Sequence, residues 1–191
     1  MKNNIFCWSS DLEDFTGEGL LAICFLKNSF FFKKTVKIIS VSGVYLYDQN
    51  KLTVIKKKNY NNNFFTKYIS PFIGILLIWW HHLNGKQTCY INYLPLWNIL
   101  IFLFLPSKTI LGPITGNVFN YKIDSFSTFI RKKIFPILYF LSLQIIFYKY
   151  KFYIFSTDNL KKYIPKKYEH LCIFNFCLLF FKKRKKKKKK Y

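Results

Sequence analysis

Apolar residues along this chain follow two spacings, one typical of strands and one typical of helices. Strand-like runs cover Asn4–Trp8, Val36–Val41 and Thr88–Tyr93, where apolar residues are bounded by polar turns. Leu20–Phe32 and Phe65–Leu83 carry apolar residues at helical spacing, and a proline is expected to interrupt the second of these helices. The first strand, the first helix and the second strand therefore predict a βαβ unit.

The rest of the chain continues this alternation. The pattern predicts a hairpin over Val44–Tyr47 and Leu52–Ile55, a helix over Leu96–Leu105 and a strand over Thr109–Leu111. A long helix over Asp124–Phe147, bent at Pro136, and a strand over Phe152–Phe155 are expected next. A helix over Asn159–Ile164, capped by Asp158, and a final strand over Leu171–Phe176 complete the prediction. Strands that alternate with helices are typical of a mostly parallel sheet flanked by helices. We therefore predict an α/β, Rossmann-like domain over residues 1–181 and a disordered poly-Lys tail over residues 182–191.

Composition agrees with a folded core and adds a strong positive charge. Hydrophobic residues make up 51% of the chain and aromatic residues 21%, which excludes a disordered composition. The net charge is +23, and residues 182–190 carry nine of the 31 basic residues, so 22 remain against eight acidic ones. This excess indicates a polyanionic neighbour such as an anionic membrane surface. A solvated lysine surface set by base composition explains it equally well.

Other classes of function have weaker support. No RRM, KH or zinc-knuckle pattern is present, so specific nucleic-acid recognition is not expected. The five cysteines stand singly, without a C-x-x-C pair, which favours buried free thiols in a reducing compartment. The first residues lack the apolar core of a signal peptide. These observations favour a cytoplasmic location.

Three apolar stretches raise the alternative of a membrane-spanning chain. Ile69–Trp80 has 12 residues, Tyr90–Leu105 has 16, and Ile134–Phe147 is broken by a proline and a glutamine. A spanning helix needs about 20 mostly apolar residues. The stretches are therefore predicted to be core elements, and a small polytopic or membrane-anchored protein without enzymatic activity remains the alternative.

The first candidate site lies where the first strand meets the first helix. Gly17, Glu18 and Gly19 follow that strand, and glycine there lets backbone N–H groups approach a ligand near a helix N-terminus. The third glycine of the dinucleotide fingerprint is absent, and an ordinary turn explains the pair as well. The acidic residues of this region (Asp11, Glu13, Asp14 and Glu18) include a candidate base for an acceptor hydroxyl, although helix N-terminal charges are the favoured interpretation.

Histidine and cysteine give no further catalytic centre. His81 and His82 are adjacent, so they point to different faces of a helix, and no Cys, Asp or Glu follows at ligand spacing. No metal site is therefore predicted. Cys7 and Cys89 are interpreted as core residues rather than nucleophiles.

The second candidate site carries a resemblance to a known family. Gly112-Pro-Ile-Thr-Gly116 follows a predicted strand, and this arrangement resembles the glycine-rich loop in the N-terminal domain of GT-B glycosyltransferases of the "group 1" type. The glycine turn after the first strand and Tyr90-Ile-Asn-Tyr-Leu-Pro-Leu-Trp97 precede it in the same order as in the family. Residues 153–164 are similar to the family's strand-Ser-x-x-x-Leu-Lys helix. The resemblance covers residues 4–176.

The resemblance implies a single, acceptor-side half of a GT-B fold. A full-length relative would move a sugar from a nucleotide-sugar to a glycan or lipid-linked glycan, here at the inner face of the cell membrane. The implied cleft residues are Gly17, Glu18, Gly19, Asn92, Gly112, Thr115 and Gly116. Thr115 stands where the family usually has a second glycine, and the histidine that many relatives carry near this loop is absent, so no catalytic residue is assigned.

The family binds its nucleotide-sugar mainly in a C-terminal domain with an acidic motif. After Phe181 this sequence contains only the basic run and Tyr191. We therefore expect a truncated enzyme, either natural or caused by a frameshift in adenine-rich lysine codons. Such a chain is expected to hold no cofactor itself and to be inactive alone. A non-functional reading frame is a further alternative.

Overall fold

The computed structural model describes residues 5–10, 12, 17–28, 35–49, 51–58, 64–116 and 126–174. Its strands are β1 (Ile5–Ser9), β2 (Val36–Ser40), β3 (Gly43–Asp48), β4 (Lys51–Lys57), β5 (Thr88–Pro95), β6 (Ile110–Thr115) and β7 (Tyr153–Phe155). Its helices are α1 (Gly17–Asn28), α2 (Phe64–Leu83), α3 (Ile99–Phe104), α4 (Phe126–Lys133), α5 (Phe135–Lys149) and α6 (Lys166–Glu169), with a 3-10 helix over Asp158–Tyr163.

The strands form one sheet in the order β4-β3-β2-β1-β5-β6-β7. The adjacent strands β2, β1, β5, β6 and β7 pair in parallel. The hairpin of β3 and β4 is antiparallel and is added at the β2 edge. The chain moves from β1 to one side and later returns to the other side at β5. This architecture confirms the predicted α/β, Rossmann-like fold and its predicted hairpin. In such sheets ligands bind beyond the carboxyl ends of the strands where the order reverses.

Each face of the sheet has its own core because successive strand residues point to opposite sides. Ile5 and Cys7 of β1 pack with α1 in one buried cluster. Phe6 and Trp8 pack in the other cluster, which contains residues from α2, α3 and α5. The alternation along β1 therefore determines which helices cover which face.

The predicted loop over residues 112–116 is wrong for its first four residues. Gly112 to Thr115 belong to β6, and the Gly112–Pro113 peptide bond is cis. Gly and Pro predict a turn by sequence, but a proline is tolerated in a sheet where the ladder is irregular. The pairing register of β6 shifts between Gly112 and Ile114 on the side of β5 and between Leu111 and Ile114 on the side of β7, and Pro113 lies in both intervals.

The helices differ from the prediction at their prolines. The long helix expected over Asp124–Phe147 is two helices, α4 and α5, and Pro136 lies in the first turn of α5. A proline is accepted there because the first-turn N–H groups have no partner within the helix. By contrast, α2 runs through Pro71 without the expected interruption. The helix predicted over Leu96–Leu105 begins only at Ile99.

The end of the described chain also departs from the prediction. Asp158 is not the cap of the following turn, because the hydroxyl of Thr157 accepts the hydrogen bond from Asn159 N at 3.0 Å. In place of a strand over Leu171–Phe176, the described residues form a single bridge between Ile154 and Ile173. Helix α6 was not predicted. Residues 175–191, with the predicted tail, lie outside the described residues.

Candidate functional site

A cavity of about 270 Å³ opens at the carboxyl ends of β1 and β2, beside α2. We call it the carboxyl-edge cleft, and its lining residues are Trp8, Ile39, Ser40, Val41, Lys58, Ile69, Ser70, Ile73 and Leu77. One wall is the apolar side of α2, and the charged group at the rim is the exposed Lys58. The cleft is therefore mostly apolar, with two hydroxyl groups and one cation.

Hydroxyl groups hold the strand ends together beside this cleft. Ser40 Oγ donates to the carbonyl oxygen of Ser10 at 3.5 Å and lies 3.3 Å from Ser42 Oγ. Ser42 Oγ is in turn 2.9 Å from the hydroxyl of Tyr45. This chain of hydrogen bonds joins β1, β2 and β3, so the cleft is built on a fixed edge of the sheet.

Trp8 forms the inner wall of the cleft through a close contact with α2. Its indole lies against Gly74, where an added Cβ would come within 2.3 Å of the ring nitrogen. The ring is 3% exposed, and its Nε1 is buried without a hydrogen-bond partner. Close packing of the indole on the helix thus leaves a polar edge buried next to the cavity.

The first predicted site begins a helix rather than a loop. Gly17, Glu18 and Gly19 form the first turn of α1, and Gly19 is buried. The side chain of Glu18 is outside the described residues, as are Asp11, Glu13 and Asp14. Helix α1 follows β1 and leads to the parallel strand β2, so its first turn lies at the carboxyl side of the sheet, and the helix packs on β5 and β6.

The residues of the second predicted site divide into two places. Gly112 is level with Ile91 inside the sheet, and Phe25 of α1 fills the space above it. Thr115 pairs with Pro95 at the end of β5, and Gly116 packs against Leu160 and Tyr139.

Asn92 lies in the irregular part of β5, and nothing is described of its side chain. The described lining of the carboxyl-edge cleft includes none of the seven predicted residues. Their role in binding stays a prediction. The cleft itself was missed because its residues come from the ends of β1, β2 and β4 and from α2, and they carry no glycine signal. The position of Trp8 and Ser40 at strand ends was the available clue.

The cysteines of the described region are free thiols, and the structure places two of them side by side. Cys7 and Cys89 are paired in register on β1 and β5, and both are fully buried. Burial and the neighbouring Cys7 raise the pKa of Cys89 well above its usual range. Burial, with a smaller effect of Glu169, raises the pKa of Cys172 to about 11. Thiols in this state are poor nucleophiles.

Among the described residues, no group of three or more His, Cys, Asp or Glu side chains is placed to hold a metal ion. In the same residues, no helix has both the length and the apolar character needed to cross a bilayer.

The helices beside the cleft expose a large apolar surface. On the outer sides of α2, α3 and α5 the exposed apolar residues are Ile69, Phe72, Ile73, Leu76, Trp79, Trp80, Leu83, Leu100, Leu103, Phe104, Ile137, Phe140 and Leu141. We call these residues the outer apolar surface. Helix α3 contacts both α2 and α5, so the three helices form one layer. Large exposed apolar patches mark sites of interaction with proteins or membranes.

Comparisons with protein-family models, with characterised proteins and with solved structures found no match.

Proposed function

We propose that this chain is the acceptor-side half of a glycosyltransferase-like enzyme that receives a lipid-linked glycan at an anionic membrane face. The observation that carries the proposal is the continuity between the carboxyl-edge cleft and the outer apolar surface. Ile69 and Ile73 belong to both. A molecule with its lipid chain on the outer apolar surface therefore has direct access to the cleft.

The chemistry of the cleft suits the polar end of such an acceptor. A lipid-linked glycan has an apolar chain, a phosphate group and sugar hydroxyls. Leu77 with Ile69 and Ile73 offers an apolar wall, and Lys58 offers a cation at the rim. Ser70 offers a hydroxyl group, and the Ser40 hydroxyl beside it is held by Ser10 and Ser42. The cleft lies at the carboxyl edge of the sheet, the edge at which ligands bind in this architecture, and it borders β1, where the strand order reverses.

The role proposed for the chain is binding and orientation of the acceptor. The family resemblance assigns the nucleotide-sugar to a second domain, and no described residue is assigned as the catalytic base. We therefore expect little or no sugar transfer from this chain alone. Robust turnover by the isolated chain in a radiolabelled-sugar assay would contradict an acceptor-only role.

The test compares two neighbouring lysines that differ in their relation to the cleft. Lys58 lines the cleft, whereas Lys57 is exposed on β4 and does not. Flotation is measured with phosphatidylglycerol vesicles, with and without a polyprenyl diphosphate-linked N-acetylglucosamine. Reversing a charge near a phosphate changes the interaction by about 2 kcal/mol in water at 4 Å, so Lys58→Glu should weaken the extra binding due to the glycolipid at least tenfold.

Lys57→Glu makes the same change in net charge and serves as the matched control. It should reduce binding to both kinds of vesicle by the same small factor. An equal loss of glycolipid-dependent binding in the two variants would contradict the proposed acceptor site. Binding that never depends on the glycolipid would favour a membrane protein without an acceptor.

A further inference from the structure

Three neighbouring strands of the sheet each begin two residues after a lysine. Lys86 precedes β5, Lys108 precedes β6 and Lys151 precedes β7 at this spacing. Because these strands are parallel, their amino ends meet at one edge of the sheet, with adjacent strands about 4.8 Å apart. The topology thus places three cations in a row at the edge opposite the carboxyl-edge cleft.

This row borders a second cavity, of about 580 Å³, which we call the amino-edge cleft. Its lining residues are His82, Gly85, Lys86, Gln87, Ser107, Lys108, Thr109, Lys149, Lys151 and Phe152. Of the lining residues that the structure describes, four are lysines and none is acidic. Pockets for small molecules range from about 300 to 1,000 Å³, so the cleft has room for a phosphate group and the group esterified to it.

The fourth lysine is fixed by the end of a helix. Lys149 Nζ donates to the carbonyl oxygens of Leu103 at 2.6 Å and Phe102 at 3.4 Å, in the last turn of α3. Carbonyl groups at a helix C-terminus favour a cation. A positive group is therefore held at one wall while the three edge lysines remain exposed to an incoming ligand.

The positive charge of this edge also reaches a neighbouring histidine. His81 lies at the end of α2 with its ring against Phe6. Its pKa is lowered by burial and by the charges of Lys86 and Lys37. Like charges gathered around one cavity repel each other, and a multiply charged anion between them removes that repulsion.

We propose that the amino-edge cleft binds a phosphate-bearing ligand, a phosphate monoester or a diphosphate, through Lys86, Lys108 and Lys151. Lysine binds phosphate as a mobile point charge, and the exposed Ser107 and Gln87 add hydrogen-bond donors beside it. The phosphate belongs either to a lipid headgroup or to a soluble ester, since both present the same charge. The site lies at the opposite edge from the proposed acceptor cleft and does not depend on sugar transfer.

The first arm of the test uses inorganic pyrophosphate and the full chain, without vesicles, at constant ionic strength. A ligand that binds the folded state raises Tm in a saturable manner. We expect such a rise for the wild type, and at least a tenfold weaker apparent Kd for Lys108→Gln combined with Lys151→Gln. Both lysines are exposed at strand starts, and circular dichroism verifies that the double variant folds. If the double variant does not fold, Lys86→Gln is used in its place.

Lys56→Gln combined with Lys57→Gln is the matched control, because it removes the same charge from exposed positions on β4. Its apparent Kd for pyrophosphate should change less than twofold. Equal weakening in the two double variants would indicate a diffuse positive field, such as one that binds nucleic acid, and would overturn the site. Absence of saturable binding to both pyrophosphate and phosphatidate would overturn it as well.

The second arm identifies the source of the phosphate. Vesicles containing phosphatidate, a monoester, are compared with phosphatidylglycerol vesicles of equal surface charge. A preference for phosphatidate that disappears in the Lys108→Gln, Lys151→Gln variant assigns the site to a lipid headgroup. Saturable pyrophosphate binding without such a preference assigns it to a soluble ester, and both results support the phosphate site.

Discussion

Gly74 lies within α2, where the indole of Trp8 leaves no room for a side chain. An added Cβ would lie 2.3 Å from Trp8 Nε1 and 2.5 Å from two further ring atoms. In an exposed helix, replacing glycine by alanine is stabilising by about 1 kcal/mol. Here forced repacking costs about 1–3 kcal/mol, so Gly74→Ala should lower the free energy of unfolding in urea denaturation.

A double-mutant cycle separates this contact from a general effect on the helix. In a Trp8→Leu background the indole is gone, so Gly74→Ala should be neutral or stabilising, as expected from helix propensity. The same destabilisation in both backgrounds would show that the Trp8 contact is not the cause. This interaction joins β1 to α2 across more than 60 residues of sequence, and a single sequence contains no signal for it.

At the scale of elements, the end of α3 shows how three distant side chains complete a short helix. The last carbonyl groups of a helix have no partner within it. The carbonyl of Phe104 accepts from Trp79 Nε1 at 2.7 Å, that of Leu103 accepts from Lys149 Nζ, and that of Phe102 accepts from the Tyr150 hydroxyl. The Tyr150 hydroxyl also lies 3.1 Å from the carbonyl of Leu105. Burial raises the pKa of Tyr150 well above its usual range, so the hydroxyl remains a donor.

Tyr150→Phe should therefore lower the free energy of unfolding by about 1–3 kcal/mol, because the Leu105 carbonyl loses the tyrosine donor and the Phe102 carbonyl keeps only the 3.4 Å contact with Lys149 Nζ. Tyr148→Phe is the matched control, since Tyr148 is 95% exposed and its loss should cost less than about 0.5 kcal/mol. Urea denaturation of both variants gives the comparison. Equal stability of the two variants would contradict a capping role for Tyr150.

The sequence predicts most elements of this fold but not the contacts that complete the clefts. The strand of β1, the hairpin of β3 and β4 and the end of α2 follow directly from apolar spacing and turn residues. The split between α4 and α5 was mispredicted because Pro136 was interpreted as a bend within one helix, whereas it lies in the first turn of a new helix, where proline is favoured. The strand conformation of residues 112–115 was mispredicted because the turn preference of glycine and proline is overridden where the ladder is irregular. Both clefts are formed by residues far apart in sequence, so spacing along the chain cannot place them together.

At the scale of the whole molecule, the proposed membrane binding has two separable contributions, charge and apolar surface. The net charge of +23 would attract anionic lipid, and this attraction would be screened by salt, since the Debye length falls from about 10 Å at 0.1 M to about 3 Å at 1 M. Contact between the outer apolar surface and lipid would not be screened. We expect binding to phosphatidylglycerol vesicles to fall between 0.1 and 1 M KCl but to retain a residual fraction.

Two changes should separate the contributions in a sedimentation assay. Leu76 is 70% exposed on the outer apolar surface, and burying a leucine contributes about 1.5–3 kcal/mol, so Leu76→Glu should remove most of the residual binding at 1 M KCl. Ile55→Glu is the control of equal charge, because Ile55 is 59% exposed on β4, away from this surface.

Deleting residues 182–190 removes nine cations and should weaken binding at 0.1 M KCl while leaving the fraction bound at 1 M unchanged. If the deletion abolishes the fraction still bound at 1 M KCl and Leu76→Glu does not, the basic run and not the outer apolar surface is responsible for membrane binding.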